Sequence, residues 1–202
     1  MKTCYIIGAG DFFGEFKPEK DDLVIAADGG YDTLVGLGTR CDILLGDMDS
    51  LRSDASEKEK ILFPVEKDET DMFLAYSEGK KRGYSAFRLY GGVGGRIDHT
   101  FANISLLIYG KKAGDIITLV ADDYEIFAIK DEKITLSGKR GATFSVFAFE
   151  GDARGVSIKG AKYEAENAIL TPDFPLGVSN SFTDSKCEIE VKSGALLIMR
   201  EI

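Results

Sequence analysis

Two pairs of closely spaced aspartates stand in the first half of the chain. Asp47 and Asp49 are two residues apart, and Asp68 and Asp71 are three apart. A turn can aim alternating side chains at one point, and positions i and i+3 of a helix share a face. Because Mg²⁺ usually takes a few carboxylates together with substrate phosphate oxygens, the four aspartates predict a magnesium–phosphate site. For any one aspartate alone a turn or a helix N-cap is the favoured interpretation, and it is the occurrence of all of them after strands along one sheet edge that favours the metal site.

A glycine-rich segment follows the aspartates. Residues 91–95 contain four glycines, and Arg96 comes directly after them. Glycine lets backbone N–H groups approach phosphate closely, and a guanidinium can bind two phosphate oxygens at once. A flexible surface turn is the alternative, which the adjoining Arg-Ile-Asp-His sequence makes less attractive. His99, the only histidine in the chain, suits either a hydrogen-bonding position at a helix start or a proton-transferring base.

Two familiar nucleotide-binding patterns are missing or incomplete. The chain has no GxxxxGK[ST] sequence, so it is not a Walker-type P-loop protein. Residues 8–14 resemble a dinucleotide fingerprint, but the third glycine comes one position late. These residues therefore indicate at most a turn that approaches a nucleotide, and they give no support for NAD.

Residues 1–121 alternate short apolar runs with helical patterns, which predicts an α/β domain with a mostly parallel, layered sheet. Ligands bind at the carboxyl ends of parallel strands, so the acidic and glycine-rich loops should meet there. The predicted helices are 71–82 and 99–109. The predicted strands are residues 3–7, 23–27, 42–45, 61–65, 86–90 and 115–120.

The pattern changes near residue 121. From there to the last residue, apolar side chains alternate with period two, as in Phe144, Val146 and Ala148, and turn residues separate the runs. This alternation is typical of antiparallel strands with one buried face. Residues 122–202 are therefore predicted to form an all-β antiparallel sandwich.

Charge and cysteine content narrow the class of protein. A net charge of -9 argues against a nucleic-acid-binding surface, which must neutralise many phosphates. The three cysteines are widely spaced, so we expect free thiols without zinc. The apolar runs are too short to cross a membrane, and no signal peptide is indicated. We expect a cytoplasmic protein.

Several segments carry a specific resemblance. Asn103 extends the last segment of the first half, and the matches in the second half are looser. The segments are Asp-Gly-Gly at 28–30, Gly-Asp-Met-Asp-Ser at 46–50, Lys-Asp-Glu-Thr-Asp at 67–71, Gly-Gly-Val-Gly-Gly-Arg-Ile-Asp-His at 91–99, Lys-Gly-Ala-Lys-Tyr at 159–163 and Gly-Val-Ser-Asn at 177–180. Together they resemble the thiamin pyrophosphokinase family over nearly the whole chain.

The resemblance implies transfer of a pyrophosphoryl group from ATP to the hydroxyl of thiamin, giving thiamin pyrophosphate and AMP. It implies ATP as co-substrate, Mg²⁺ as cofactor, and a homodimer with active sites near the subunit interface. Residues 1–121 would then bind ATP and Mg²⁺, and residues 122–202 would bind thiamin.

Site roles follow from the resemblance together with the residue chemistry. Magnesium ligands would be Asp47, Asp49, Asp68 and Asp71. Catalytic residues would be Asp49, Asp71, Arg96 and Asp98, the last orienting Arg96 or the attacking hydroxyl. Nucleotide-binding residues would be Asp28, Gly29, Gly30, Gly92, Gly94, Gly95, Arg96, His99 and Asn103. Thiamin-binding residues would be Tyr163, Ser179 and Asn180.

One position departs from the family pattern. Many members carry Trp where this chain has Tyr163, and the chain contains no Trp. A tyrosine can still offer a π face to a cationic or heteroaromatic ring. Two other readings stay open, a pyrophosphokinase for another small alcohol such as a hydroxymethylpterin and a non-catalytic nucleotide-binding or regulatory protein.

Overall fold

Parallel strands organise the first half of the chain, as its short apolar runs predict.

The protein is described by a computed structural model over residues 1–47, 52–54, 59–63 and 68–202. The predicted metal ligand Asp49 lies outside the described residues, and its role stays a prediction.

Two compact units make up the chain. The first, unit 1, comprises Met1–Gly110 with Gly114–Asp122. The second, unit 2, comprises Lys111–Ala113 with Asp123–Ile202. None of the helices in the described part of the chain is long and apolar enough to cross a membrane.

Unit 1 alternates strands with helices. Its last helix runs two residues beyond the unit. In chain order the described elements are β1 (Cys4–Ile7), β2 (Leu23–Ala27), α1 (Gly30–Gly36), β3 (Ile43–Gly46), β4 (Glu59–Leu62), α2 (Asp71–Lys81), β5 (Ala86–Tyr90), α3 (Ile97–Lys112) and β6 (Ile116–Ala121).

The six strands of unit 1 form a parallel sheet in the order β6-β5-β1-β2-β3-β4, so the predicted mostly parallel sheet is confirmed. Every residue of β2 is buried, because a central strand of such a sheet is covered on both faces. The chain leaves β1 toward one side of the sheet and later returns to β5 on the other side of β1. This reversal creates a crevice at the carboxyl ends of β1 and β5.

The helices of unit 1 match the predictions at α2 and α3 and differ at α1. Thr70 caps α2 by accepting a hydrogen bond from the Phe73 N–H at 3.2 Å. α3 extends beyond the predicted 99–109 at both ends. α1 was not predicted, because it is seven residues long and lacks a capping side chain. The strand predicted at 61–65 begins earlier, at Glu59, since its backbone pairing with β3 sets its register.

Unit 2 contains eight strands, which confirms the predicted antiparallel sandwich. They form two antiparallel sheets, with the orders β12-β9-β14-β7 and β11-β10-β13-β8. Between the sheets lies an apolar core in which the rings of Phe144 and Phe182 are 5.1 Å apart. In chain order the strands are β7 (Tyr124–Lys130), β8 (Lys133–Ser137), β9 (Thr143–Ala148), β10 (Ala153–Lys159), β11 (Ala165–Leu170), β12 (Gly177–Ser181), β13 (Lys186–Glu190) and β14 (Ala195–Glu201).

A buried carboxylate ties α2 to the turn before β6. Asp115 is 2% exposed and accepts hydrogen bonds from the Tyr76 hydroxyl and from Lys80 Nζ, both at 2.6 Å. Burial, followed by the hydrogen bond to Asp115, raises the pKa of Tyr76. Both carboxylate oxygens are therefore used, and the network fixes the position of α2, whose first residue is Asp71.

Asp115→Asn should lower the free energy of unfolding by about 2–4 kcal/mol, because it breaks a buried ion pair and its hydrogen-bond network. Urea denaturation of the variant and the wild type measures the difference. Tyr76→Phe leaves the Asp115–Lys80 pair in place and should cost about 1 kcal/mol. An Asp115→Asn protein as stable as the wild type would contradict this account.

Candidate active site

Two glycine loops meet backbone to backbone at the carboxyl ends of β1 and β5. The N–H of Gly8 donates to the Tyr90 carbonyl at 2.8 Å, and that of Gly10 donates to the Gly91 carbonyl at 2.9 Å. A Cβ on Gly8 would lie 2.7 Å from the Gly91 oxygen, and Gly91 itself has φ +60°. Only glycine permits this close approach and this backbone conformation together. We call this pair of loops the glycine seam.

The glycine seam forms one wall of a cleft of about 450 Å³. Eight residues with predicted roles line the cleft: Asp28, Asp71, Gly92, Gly94, Gly95, Arg96, His99 and Asn103. Further lining residues without a predicted role are Gly8, Ala9, Gly10, Ala27, Thr70, Met72 and Gly91. The structure thus brings together four separate loops, as expected for the carboxyl edge of a parallel sheet.

Asn103 supports the glycine-rich bend from α3. Its side chain is 5% exposed, and its Nδ2 donates to the Gly92 carbonyl oxygen at 2.8 Å. A Cβ on Gly92 would meet Leu119 Cδ1 at 2.6 Å and Asn103 Nδ2 at 3.2 Å. Asn103 therefore holds the bend in place at the edge of the cleft.

Arg96 is paired with Asp98 at the start of α3. Arg96 Nη2 lies 2.6 Å from Asp98 Oδ2, and Nε lies 3.2 Å from Oδ1. The hydrogen bond from Arg96 is the main cause that lowers the pKa of Asp98. Arg96 lines the cleft and Asp98 does not, so the contact is of the kind in which Asp98 orients the guanidinium. The catalytic roles of both residues stay predictions.

Asp28 has an unusual backbone at the end of β2. Its φ is +46°, a left-handed conformation that costs a non-glycine residue about 1–2 kcal/mol. Its Oδ1 accepts a hydrogen bond from the Asp47 N–H at 3.2 Å and packs where a Cβ on Gly46 would sit. Strained backbone conformations of this kind concentrate at functional sites.

The start of α1 anchors the chain beyond β3. Asp32 accepts hydrogen bonds from the backbone N–H groups of Arg52 at 3.1 Å and Ser53 at 2.9 Å. A hydrogen bond with the Ser53 side chain is the main cause that lowers the pKa of Asp32. The Tyr31 hydroxyl donates to the Asp54 carbonyl at 3.1 Å. Sequence reasoning did not identify Asp32, because its partners lie some twenty residues away.

Gly29 and Gly30 were predicted to help bind the nucleotide but do not line the cleft. Gly29 is the N-cap of α1, and Gly30 is its first residue. A Cβ on Gly30 would clash with the Ile7 carbonyl oxygen. These glycines therefore let α1 begin directly against β1, and a direct nucleotide contact stays a prediction.

The predicted magnesium ligands are partly separated. Asp71 lines the main cleft, whereas Asp68 lines a second cavity of about 410 Å³ together with Phe73 and Tyr109. The argument that Asp68 and Asp71 share a helix face is wrong, because α2 begins only at Asp71. Within the described ranges, no group of three or more His, Cys, Asp or Glu residues is arranged to hold a metal ion. Asp49 lies outside those ranges.

The predicted thiamin residues lie in unit 2. Tyr163 is 59% exposed, and Ser179 has φ +57°. Asn180 is 4% exposed, and its side chain bonds to the backbone of Tyr163. The structure thus joins Tyr163 and Asn180 directly.

Comparison with known proteins identifies the family. The model for the thiamin pyrophosphokinase catalytic domain matches residues 17–119, more than half of the chain, and that for the thiamin pyrophosphokinase vitamin B1 binding domain matches residues 129–196. The thiamine pyrophosphokinase of Bacillus subtilis is 27% identical over 213 residues, covering 99% of both chains.

Solved structures agree with this match. A thiamine pyrophosphokinase crystal structure from B. subtilis has a TM-score of 0.91 and 25% identity, covering 99% of each chain. One from Geobacillus thermodenitrificans has a TM-score of 0.86 and 25% identity, covering 99% of this chain and 97% of that one. The hydroxymethylpterin alternative is not favoured by these similarities. The chain therefore belongs to the thiamin pyrophosphokinase family, which is a family of enzymes.

Proposed function

We propose that the cleft of unit 1 binds the triphosphate of ATP for transfer of its terminal pyrophosphoryl group to the hydroxyl of thiamin. The observation that carries this proposal is the convergence of the glycine seam, Asp28, Asp71 and Arg96 on one cleft of about 450 Å³. That volume is within the usual range for a small-molecule site.

The cleft suits a polyphosphate for two reasons. The N–H groups of Gly8 and Gly10 are used within the seam, but Gly92, Gly94 and Gly95 also line the cleft, and glycine lets backbone N–H groups approach phosphate oxygens closely. Arg96 supplies a planar cation that can bind two of those oxygens. The Arg96 guanidinium forms an exposed ion pair with Asp98, which phosphate oxygens could replace or share.

We expect a divalent cation on the side of the cleft where the carboxylates of Asp28 and Asp71 lie. The donor set is made of carboxylate oxygens, which are the ligands that Mg²⁺ prefers. Asp71, which lines the cleft, would hold it together with the predicted ligands Asp47 and Asp49, and Asp68, which lines the second cavity, would act through water. When bound, Mg²⁺ would neutralise charge on the phosphate oxygens.

The transfer is a displacement at phosphorus. The thiamin hydroxyl oxygen forms a bond to the β-phosphorus of ATP, and the bond from that phosphorus to the oxygen bridging the α-phosphate breaks. AMP leaves with the bonding electron pair, and the hydroxyl proton passes to water or to a carboxylate of the cleft. Such reactions depend chiefly on alignment and electrostatic stabilisation, which a preorganised cleft provides.

Unit 2 would supply the thiamin contacts. The B1-binding family model spans Tyr163, Ser179 and Asn180. The exposed Tyr163 ring can stack on a heteroaromatic ring of the substrate. We also propose a homodimer, supported by the exposed apolar side chains of Phe174, Leu176 and Val178 at the edge strand β12 and just before it.

One assay tests the proposal as a whole. The protein is incubated with ATP, Mg²⁺ and either thiamin or a hydroxymethylpterin, and AMP and the pyrophosphorylated product are quantified. With thiamin as the acceptor we expect thiamin pyrophosphate and AMP in equal amounts. With the hydroxymethylpterin we expect neither AMP nor a pyrophosphorylated product. ATP binding without AMP formation would instead support a non-catalytic role.

Arg96→Ala should lower turnover by ~10²-fold or more, the scale of losing one oriented electrostatic contact to the transferring group. Steady-state AMP release measures the loss. Arg154→Ala is a matched control, because Arg154 forms an exposed pair with Asp152 two residues away in the same manner. The role of Arg96 fails if both variants retain wild-type turnover.

Asp71→Asn and Asp49→Asn should each lower Mg²⁺-dependent AMP formation by ~10²-fold or more, because a neutral amide oxygen is a weaker magnesium ligand than a carboxylate. Activity is followed against Mg²⁺ concentration, and thermal melting verifies that the variants fold. Asp173→Asn, an exposed position in unit 2, is the control. If one of the two variants keeps the wild-type dependence of activity on Mg²⁺ concentration, the aspartate replaced in it is not a magnesium ligand.

A further inference from the structure

A β-bulge turns the side chain of Asn180 into the core of unit 2. Between the pairs Gly177–Val146 and Asn180–Phe144, β12 advances three residues while β9 advances two. Ser179 takes up the extra residue with φ +57°. Bulges commonly re-aim a side chain in this way. Asn180 is consequently 4% exposed, although it lies on an edge strand.

The Asn180 amide is almost fully committed to the backbone around it. Its Oδ1 accepts hydrogen bonds from the N–H groups of Tyr163 at 3.0 Å and Ser181 at 2.8 Å. Its Nδ2 donates to the Tyr163 carbonyl at 2.7 Å. An asparagine amide can make four hydrogen bonds, so three of them are internal. Little capacity is left for a substrate.

Apart from Asn180, the described contacts of Tyr163 come from its own segment, with Lys162 Nζ lying 5.2 Å from the centroid of its ring. Its ring is 59% exposed. The segment before it is joined to β12 by the hydrogen bond from the Lys162 N–H to the Ser181 carbonyl at 2.9 Å and by the bridge between Ala161 and Phe182. Asn180 is the described side chain that bonds both the N–H and the carbonyl of Tyr163. It therefore fixes where the Tyr163 Cα lies and hence the point from which the ring projects.

We propose that Asn180 is a positioning residue that acts through Tyr163 and does not itself contact the substrate. Its amide holds the Tyr163 backbone, and the ring then presents a fixed face for the heteroaromatic substrate to stack on. A binding group held by a packed, hydrogen-bonded neighbour loses less freedom when the ligand binds. This inference rests on the proposed function, in which Tyr163 contacts thiamin.

The first test needs no ligand. Because the chain has no Trp, Tyr163→Trp introduces a single indole whose fluorescence anisotropy reports the order of that side chain. Adding Asn180→Ala should lower the anisotropy and increase quenching by iodide. Adding Thr183→Val instead should change neither, although the Thr183 hydroxyl joins the same two segments through the Gly160 carbonyl at 2.8 Å. Equal anisotropy with and without Asn180 would overturn the proposal.

The second test is a double-mutant cycle on thiamin kinetics. Asn180→Ala should raise KM for thiamin about 10-fold, the scale of a lost hydrogen-bonded support, with KM for ATP unchanged. In a Tyr163→Ala background the same change should add less than about 2-fold, because Asn180 then has no ring to position. Independent, additive effects would show that Asn180 acts on the substrate directly and would overturn the proposal.

Asn180→Asp covers the case in which Asn180→Ala does not fold, and thermal melting identifies that case. Aspartate retains the two acceptor contacts but cannot donate to the Tyr163 carbonyl, so it should also weaken thiamin binding. Tighter thiamin binding by this variant would indicate direct contact with a cationic substrate and would overturn the proposal. The remaining outcome is a wild-type protein that shows no turnover while the Tyr163→Trp protein still loses indole order when Asn180→Ala is added. That pair of results would reject the proposed function and retain the positioning role of Asn180.

Discussion

The close approach of two backbones at the carboxyl ends of β1 and β5 is the constraint on which the candidate site depends. Gly8 and Gly10 bond to the carbonyls of Tyr90 and Gly91, and no side chain fits between them. The reversal of the chain at β1 places this contact at the crevice of the sheet. Arg96 and α3 follow directly from it. The positions of the cleft, of the Arg96 guanidinium and of α3 therefore all depend on a contact between glycines.

Much of the fold was predictable because periodicity reports burial. Apolar runs such as 23–27 and 86–90 became strands with those bounds, and period-two alternation marked the antiparallel unit. α1 was not predicted because seven residues are too few to show a helical periodicity of apolar side chains. A helix this short is stabilised mainly by its packing. The register of β4 could not be read from the chain, because its partner strand determines it.

The residues of the site were more predictable than their roles. The loops after the predicted strands identified Asp28 and Arg96, the family resemblance added Asn103, and the structure places all three at one cleft. The sequence could not show that Asn103 and Asn180 bond to backbone groups, because an asparagine reads the same in the sequence whether its amide binds a ligand or a neighbouring loop. Hydrogen-bond partners are fixed only when distant segments come together in the fold.

The attachment of Asp47, Arg52 and Ser53 to the start of α1 has a consequence for heat sensitivity. Asp28 bonds to Asp47, and Asp32 bonds to Arg52 and Ser53, so both attachments depend on the start of α1. α1 has seven residues and no capping side chain, and such elements open locally at lower free energy than the core. On warming, we therefore expect the hydrogen bonds that attach Asp47, Arg52 and Ser53 to open before the parallel sheet melts.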